Sequence, residues 1–260
     1  MIRTKTLILS ALFASVAVVG SAQADTLIAL TGAKTLTSFD SKTLRSGKSV
    51  AIKGTASTIL GIDMRPSDGQ LYAATADGTI YTVDVKTGQA TMKSKLDMTL
   101  AAGVKATIDF NPVADRMRII GSDGTSLRAN VDDGKVTKDG SLKYAAGDKG
   151  EGKTPSVTAG AYSNSVKGTK ETALYDIDTA LGTYLKQAPP NDGVLTTIGS
   201  MGLKAKVAAF DIGTDAAGVN TGYAIANGSL YTVDVATGAT KAVGKIKGLP
   251  SGVRDVAVLQ

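Results

Sequence analysis

The stretch GDKGEGKT, which runs from Gly147 to Thr154, matches the pattern G-x-x-x-x-G-K-[ST] of phosphate-binding loops. Such a loop lies between a buried strand and a helix, because the N–H groups of the loop and of the helix N-terminus surround the phosphates. Here Pro155 favours an extended backbone at Thr154, and the residues that follow alternate like a strand. We therefore interpret Gly147, Gly152, Lys153 and Thr154 as a chance match, and we expect a polar, mobile connector there and no nucleotide site.

Three aspartates could do chemistry if five similar segments of the chain lie side by side. Aligning GIDMRP, TIDFNP, AGAYSN, VAAFDI and VRDVAVL places Asp63, Asp109 and Asp255 at the same position as Ala161 and Ala209. Converging carboxylates could bind a hard cation such as Ca²⁺, or they could act as acid and base in glycoside cleavage. The alternative, which we favour because buried charges are usually paired, is that each aspartate bonds to the backbone or to a neighbouring arginine.

A second group of polar residues could line a pocket for an anionic or sugar ligand at one loop face. Arg116 and Arg118 share a strand face because they are two residues apart. Structural pairing of the arginines with Asp115 or Asp132 is the alternative that we favour. The candidate contacts in this group are Arg116, Arg118 and Arg128, together with Asn191 and Asp192 of the segment PPNDG.

The composition excludes several classes of site. The chain has no His, Cys or Trp, so a Ser–His–Asp triad, an imidazole base and the usual zinc and copper ligands are missing. Any metal would have to be a hard cation such as Ca²⁺ on oxygen ligands, and we expect no certain cofactor beyond that possible Ca²⁺. The charges are scattered and the aromatic residues are few, so we expect no nucleic-acid binding.

The first residues have the pattern of a secretory signal peptide. Arg3 and Lys5 precede an apolar run from Leu7 to Val19, and small residues follow up to Ala24. The run is shorter than the roughly 20 apolar residues that cross a bilayer. We therefore expect cleavage of residues 1–24, and a single domain at 25–260 that is periplasmic or secreted and does not insert into the membrane. Loss of the two cations would lower the net charge from +6 to +4.

Internal repeats determine the predicted fold. The segments GTIYTVDVKTGQAT and GSLYTVDVATGATK, which begin at Gly78 and Gly228, are the clearest copies, and three weaker copies also place an aspartate before a turn. The T-G of the turn supplies a residue that tolerates positive φ. The repeated aspartates are Asp40, Asp84, Asp132, Asp178 and Asp234.

Each repeat contains about four short strands, which is typical of a propeller blade. The N-terminal repeat lacks its first strand, and the C-terminal segment VRDVAVLQ is a first strand with nothing after it, so the two complete one blade and close a ring. We predict an all-β, five-bladed β-propeller with four strands per blade, and not an open solenoid. The predicted blades are residues 253–260 with 26–54, 58–97, 105–143, 157–202 and 205–247.

The middle of the chain resembles a bacterial family of exported propeller-like domains that is known only as a domain of unknown function. The resemblance rests on the segments IDFNPVADRMRIIGSDGTSLRANVDDG and APPNDGVLTTIG, with the motifs F-N-P-x-x-D-R-x-R and P-P-N-D-G. It implies the fold and export, and it implies no activity. We expect a non-enzymatic protein that binds an envelope protein, a glycan or a small ligand at a loop face. The alternative is a carbohydrate-active hydrolase or a Ca²⁺-binding propeller that uses the three aspartates.

Overall fold

The computed structural model describes residues 25–203 and 206–259 of the chain, and nearly all of its regular structure is β-strand. The predicted signal peptide, residues 1–24, lies outside the described residues. A single short 3-10 helix, Pro190–Asp192, occurs in the described part. None of the described helices is long and apolar enough to span a bilayer.

The strands form five sheets arranged as blades of a ring, which confirms the predicted five-bladed propeller. Blade one contains β1 (Thr26–Thr31), β2 (Thr35–Asp40) and β3 (Val50–Ala51). Blade two contains β4 (Ile59–Arg65), β5 (Gln70–Thr75), β6 (Thr79–Val83) and β7 (Ala90–Lys95). Blade three contains β8 (Ala106–Asn111), β9 (Arg116–Gly121), β10 (Ser126–Ala129) and β11 (Val136–Lys138).

The remaining strands complete the ring. Blade four contains β12 (Lys143–Tyr144), β13 (Val157–Tyr162), β14 (Leu174–Asp178), β15 (Thr183–Gln187) and β16 (Val194–Ser200). Blade five contains β17 (Val207–Thr214), β18 (Asn220–Ala226), β19 (Ser229–Val233) and β20 (Thr240–Lys245). The last strand, β21 (Val253–Leu259), pairs antiparallel with β1 and so closes blade one, as the sequence predicts.

One strand belongs to a different blade from the one that the sequence indicates. Lys143 and Tyr144 were expected at the end of blade three, but β12 pairs with β16 in parallel and forms a fifth, outer strand of blade four. A pair of residues carries too little periodic pattern to reveal its partner strand.

Apolar residues fill the spaces between adjacent blades. The ring of Tyr72, from blade two, meets the ring of Phe110, from blade three, edge to face with 5.2 Å between centroids. Tyr184 and Phe210 make a similar contact between blades four and five, with a centroid distance of 6.1 Å. Each blade is therefore stabilised by burial against its neighbours, as expected for a repeat architecture whose units cannot bury an apolar face alone.

Three of the five repeated aspartates, Asp40, Asp84 and Asp234, end the third strand of their blade. Asp84 accepts hydrogen bonds from the backbone N–H groups of Lys86 and Thr87, and Asp40 and Asp234 make the same turn. The other two aspartates, Asp132 and Asp178, also lie at turns, but neither ends the third strand of its blade.

In blade three the turn residue is Asn130, whose carbonyl accepts the N–H of Gly134, while Asp132 lies within the turn. In blade four Asp178 ends the second strand, β14, instead of the third. The spacing of strands differs in this blade, so the aspartate pattern matched the hairpin of the second and third strands to the hairpin of the third and fourth strands in other blades.

The glycine of these turns holds neighbouring blades together. Gly88 and Gly134 both have positive φ, and their carbonyls accept N–H groups from the preceding blade at 2.8 and 3.0 Å. The donor to Gly88 is Lys53, and the donor to Gly134 is Asp97. A Cβ atom at Gly134 would overlap the carbonyl of Lys95. The turn glycine thus serves both the turn and the close approach of the neighbouring blade.

We expect Gly134→Ala to destabilise the protein more than Gly69→Ala, which is the matched control. Gly69 also has positive φ, but nothing lies within 4 Å of a Cβ atom built there. The control should cost about 1–2 kcal/mol for left-handed backbone alone. Gly134→Ala should cost about 2 kcal/mol more because of overpacking against Lys95. Urea unfolding measures both, and equal costs would contradict the proposed contact between blades.

Candidate functional site

Four aspartates lie in the central channel, where the innermost strand of each blade faces the ring axis. They are Asp63 on β4, Asp109 on β8, Asp211 on β17 and Asp255 on β21, and each is at most 6% exposed. The sequence identified three of them and missed Asp211.

Strand register divides the four carboxylates into two layers. Oxygens of Asp63, Asp109 and Asp211 lie within 4.8 Å of one another, and we call these three residues the carboxylate trio. Asp255 lies two residues earlier in its strand and points toward Gly61, where a Cβ atom would collide with its carboxylate. The sequence alignment therefore placed Ala209 and Asp255 in the wrong layer, since a shift of two residues preserves strand alternation.

Each of the four carboxylates accepts a backbone N–H from an adjacent blade. The donors are Phe110 to Asp63 at 2.7 Å, Tyr162 to Asp109 at 2.9 Å, Val258 to Asp211 at 2.6 Å and Ile62 to Asp255 at 2.9 Å. These bonds span four of the five junctions between blades. At the junction of blades four and five, where Ala161 replaces an aspartate, Asn164 and Asn220 exchange hydrogen bonds instead.

Burial raises the pKa of all four channel aspartates. Mutual repulsion adds to the effect for Asp63 and Asp109, whereas the backbone N–H bonds act in the opposite direction. For Asp211 burial raises the pKa to about 6, and hydrogen bonds from Val258, Ile212 and Asp109 limit the rise. The raised pKa values favour protonated carboxyls within the trio, because protonation relieves the repulsion between closely spaced charges.

The carboxylate trio has the geometry of a link between blades. Both oxygens of Asp63 accept backbone N–H groups, as do both oxygens of Asp211. Calcium takes six to eight oxygen ligands, and a glycosidase needs carboxyls that face a substrate. The observed bonds favour the structural role that we preferred from the sequence, with backbone N–H groups as partners instead of arginines.

The second group of candidate residues separates in the structure. Arg118 is 2% exposed and bonds to Asp139 at 2.5 Å, Tyr162 at 3.2 Å and Asn191 at 2.8 Å. Arg128 also pairs with Asp139. The cluster thus joins β9 and β10 to the PPNDG segment of blade four.

Arg116 and Asp192 lie apart from this cluster. Arg116 donates to the carbonyls of Ala114 and Asp115, and Asp192 is exposed. The carboxylates of Asp115 and Asp132 pair with Arg65, which is buried. A ligand role for these residues stays a prediction, and the pairing with Asp115 and Asp132 that we considered belongs to a different arginine.

Asp176 is a buried carboxylate that sequence reasoning did not single out. It lies on β14, is 0% exposed, and neither of its oxygens has a hydrogen-bond partner. Burial raises its pKa to about 7, and the nearby Arg118 guanidinium opposes the rise. No signal in the repeat pattern could have found it, because Asp176 interrupts an alternation that otherwise predicts an apolar side chain.

The stretch from Gly147 to Thr154 connects β12 to β13, so the element that directly follows it is a strand and not a helix. Its N–H groups bond within the loop, from Gly147 to Glu151 and from Gly150 to Asp148. Asp148 also accepts bonds from Thr197 on β16. The phosphate-loop motif therefore lacks the strand–loop–helix setting that the chemistry requires.

A concave site lies where the innermost strands begin, and we call it the mouth cup. Its volume is about 630 Å³, and every innermost strand contributes to its wall, through Leu60, Ala106, Thr158, Ala208 and Val253. The rest of the wall consists of Gly103, Lys105, Ser122, Ser156, Thr179, Lys206, Val207 and Arg254. Among these described wall residues three are cationic and none is acidic.

Residues 35–257 match the family described as "Domain of unknown function (DUF4394)", and the chain belongs to that family. This match confirms the resemblance given by the sequence motifs. No curated protein matches the chain.

Two solved structures are similar to the fold. One is a structural genomics protein of unknown function from Bacteroides thetaiotaomicron VPI-5482, 16% identical with a TM-score of 0.55, over 93% of this chain and 68% of the other. The second is a protein of unknown function from Bacteroides caccae, 10% identical with a TM-score of 0.46, over 92% of this chain and all of the other. The first likeness extends to the fold alone.

We expect Asp63→Ala to destabilise the protein strongly compared with Asp192→Ala. The first change leaves the buried N–H of Phe110 without its acceptor, which costs about 1–3 kcal/mol, and it also opens a gap in the channel. The second removes an exposed carboxylate and should change the free energy of unfolding by less than about 0.5 kcal/mol. Chemical denaturation measures both, and a neutral Asp63→Ala would contradict the link between blades.

We expect Asp176→Asn to remove part of the pH dependence of stability. The pKa of Asp176 rises from 3.8 to about 7 on folding, so the folded state binds the proton more tightly. Stability from this group is therefore full below about pH 4 and is lost as pH rises to about pH 7. From about pH 5 to about pH 8, the free energy of unfolding of the variant should rise by about 2 kcal/mol relative to that of wild type. Urea unfolding at both values tests this, and a constant difference would contradict it.

Proposed function

We propose that this family member is an exported, non-enzymatic propeller that binds a ligand in the mouth cup. The observation that carries the proposal is the position of the cup on the ring axis, where the first strands of all five blades supply its wall. Binding sites in barrels and propeller-like folds favour such mouths because rigid strands position the lining residues there.

The chemistry of the cup supports binding more than catalysis. Its described wall has no carboxylate, imidazole or thiol that could act as a base or nucleophile. The channel carboxylates lie deeper, and their backbone bonds leave little capacity for a substrate. The described wall also has no aromatic side chain on which a sugar ring could stack, which argues against a glycosidase subsite.

A second concavity is larger and less well suited. It has a volume of about 790 Å³ and lies along the outer strands of blade five, with Tyr223, Asp234 and Lys241 among its wall residues. Its other wall residues include Ser41 and Lys42 of blade one, so two blades build it instead of five. We therefore place the ligand in the mouth cup.

A single introduced cysteine tests the location of binding, because the natural chain has none. Ser156→Cys places a thiol in the cup wall, and Thr87→Cys places one in an exposed turn outside it. Each variant is labelled with an environment-sensitive fluorophore and titrated with pyrophosphate, citrate, maltose, a peptide mixture and Ca²⁺. We expect at least one of these probes to change the fluorescence at position 156 and not at position 87.

The control label at position 87 also shows which result would contradict binding in the mouth cup. If the probes that raise the melting temperature of the wild-type protein change the signal at position 87 alone, or change neither signal, the binding surface lies elsewhere. The proposal of a mouth-cup ligand would then be wrong, whatever the charge of the probe.

A further inference from the structure

We infer that the mouth cup takes a compact oxyanion with two or more negative charges, such as a phosphoryl compound or a polycarboxylate. This inference rests on the proposed function and specifies its ligand. Two independent features of the wall support this inference. Cations surround the cup, and two of its hydroxyl groups have protons that are free to be donated to a ligand.

The three cations of the cup are Lys105, Lys206 and Arg254. None of them takes part in the ion pairs found within the described residues. The buried cations Arg65 and Arg118, in contrast, do pair with aspartates. Three cations around one concavity without a carboxylate in its described wall create a positive potential that attracts anions.

The nearest acidic residue in sequence does not cancel this charge. Asp255 follows Arg254 directly, but its carboxyl points into the channel and accepts the N–H groups of Ile62 and Val256. Burial raises its pKa well above the usual range, which favours the neutral form, while the nearby charge of Arg254 acts in the opposite direction. Arg254 donates to the carbonyl of Gly32 at 3.4 Å, and its remaining guanidinium N–H groups are available for a ligand.

Two hydroxyl groups of the wall are prepared to donate. Thr158 donates to the hydroxyl oxygen of Thr179 at 3.0 Å, so the proton of Thr179 is free for another acceptor. The hydroxyl oxygen of Ser122 accepts the backbone N–H of Lys105 at 3.3 Å, which likewise leaves its own proton free. Each of these hydroxyl oxygens already accepts one hydrogen bond from the protein. Each can therefore donate its proton to a ligand that only accepts hydrogen bonds.

Together these features select among ligand classes. A multiply charged oxyanion offers many acceptor oxygens and no obligatory donor, which matches a wall of ammonium, guanidinium and hydroxyl donors. A metal cation would be repelled by the three positive charges. A neutral sugar needs acceptors as well as donors, and the described wall offers no carboxylate for its hydroxyls.

Calorimetric titration with inorganic pyrophosphate and with citrate tests the inference and distinguishes phosphoryl from carboxylate ligands. We expect saturable binding of at least one of them, with one site per chain, and binding that weakens as NaCl is added. Lys105→Gln and Arg254→Gln should each weaken binding about tenfold, since each removes a charge-assisted bond. Lys86→Gln is the matched control, because Lys86 is an exposed turn residue outside the cup, and it should leave the affinity unchanged.

The outcomes separate this inference from the proposed function. If neither anion binds, or if Lys86→Gln weakens binding as much as Lys105→Gln, the oxyanion site is wrong. If maltose or a peptide changes the fluorescence at position 156 while neither anion does, the cup is the binding site and only the ligand class is wrong. Melting temperatures of the variants establish that the loss of binding does not reflect loss of the fold.

Discussion

The hydrogen bond from a backbone N–H on one innermost strand to an aspartate on an adjacent blade is the interaction on which the ring depends. It recurs at four of the five junctions between blades, with donors such as Phe110 and Tyr162. A ring without disulfides must hold each blade by packing and by such directional bonds. The bond from Val258 to Asp211 has a special place, because it joins blade five to the C-terminal strand that closes blade one.

The same hydrogen bonds also affect how acidic and basic groups are distributed between the channel and the mouth cup. The channel carboxylates are buried and bond to the backbone, and burial raises the pKa of Asp63 and Asp255, which favours their neutral forms. The cations at the mouth then face the solvent without a neighbouring anion in the described wall. The channel therefore holds acidic groups that bond to the backbone, whereas the described wall of the mouth cup holds basic groups.

The sequence predicted the fold because its evidence was redundant. Repeats, turn glycines and complementary ends all indicated five blades, and each signal was local. Register was harder: Asp211 was missed because a slip of two residues preserves the alternation of buried and exposed positions. Arg118 was singled out, but its partner Asp139 was not, since nothing local shows which strands meet across a junction. Lys105 and Lys206 were also missed, because they are far apart in the sequence and only the closed ring brings them together in the cup wall.

Amide hydrogen exchange at the four donors to the channel aspartates tests the account most directly. These donors are the N–H groups of Ile62, Phe110, Tyr162 and Val258. If the carboxylate bonds hold the blades together, all four amides exchange only through global unfolding, and their opening free energies equal the free energy of unfolding. Rapid exchange of these amides through local opening, while the rest of the strands stays protected, would contradict the account.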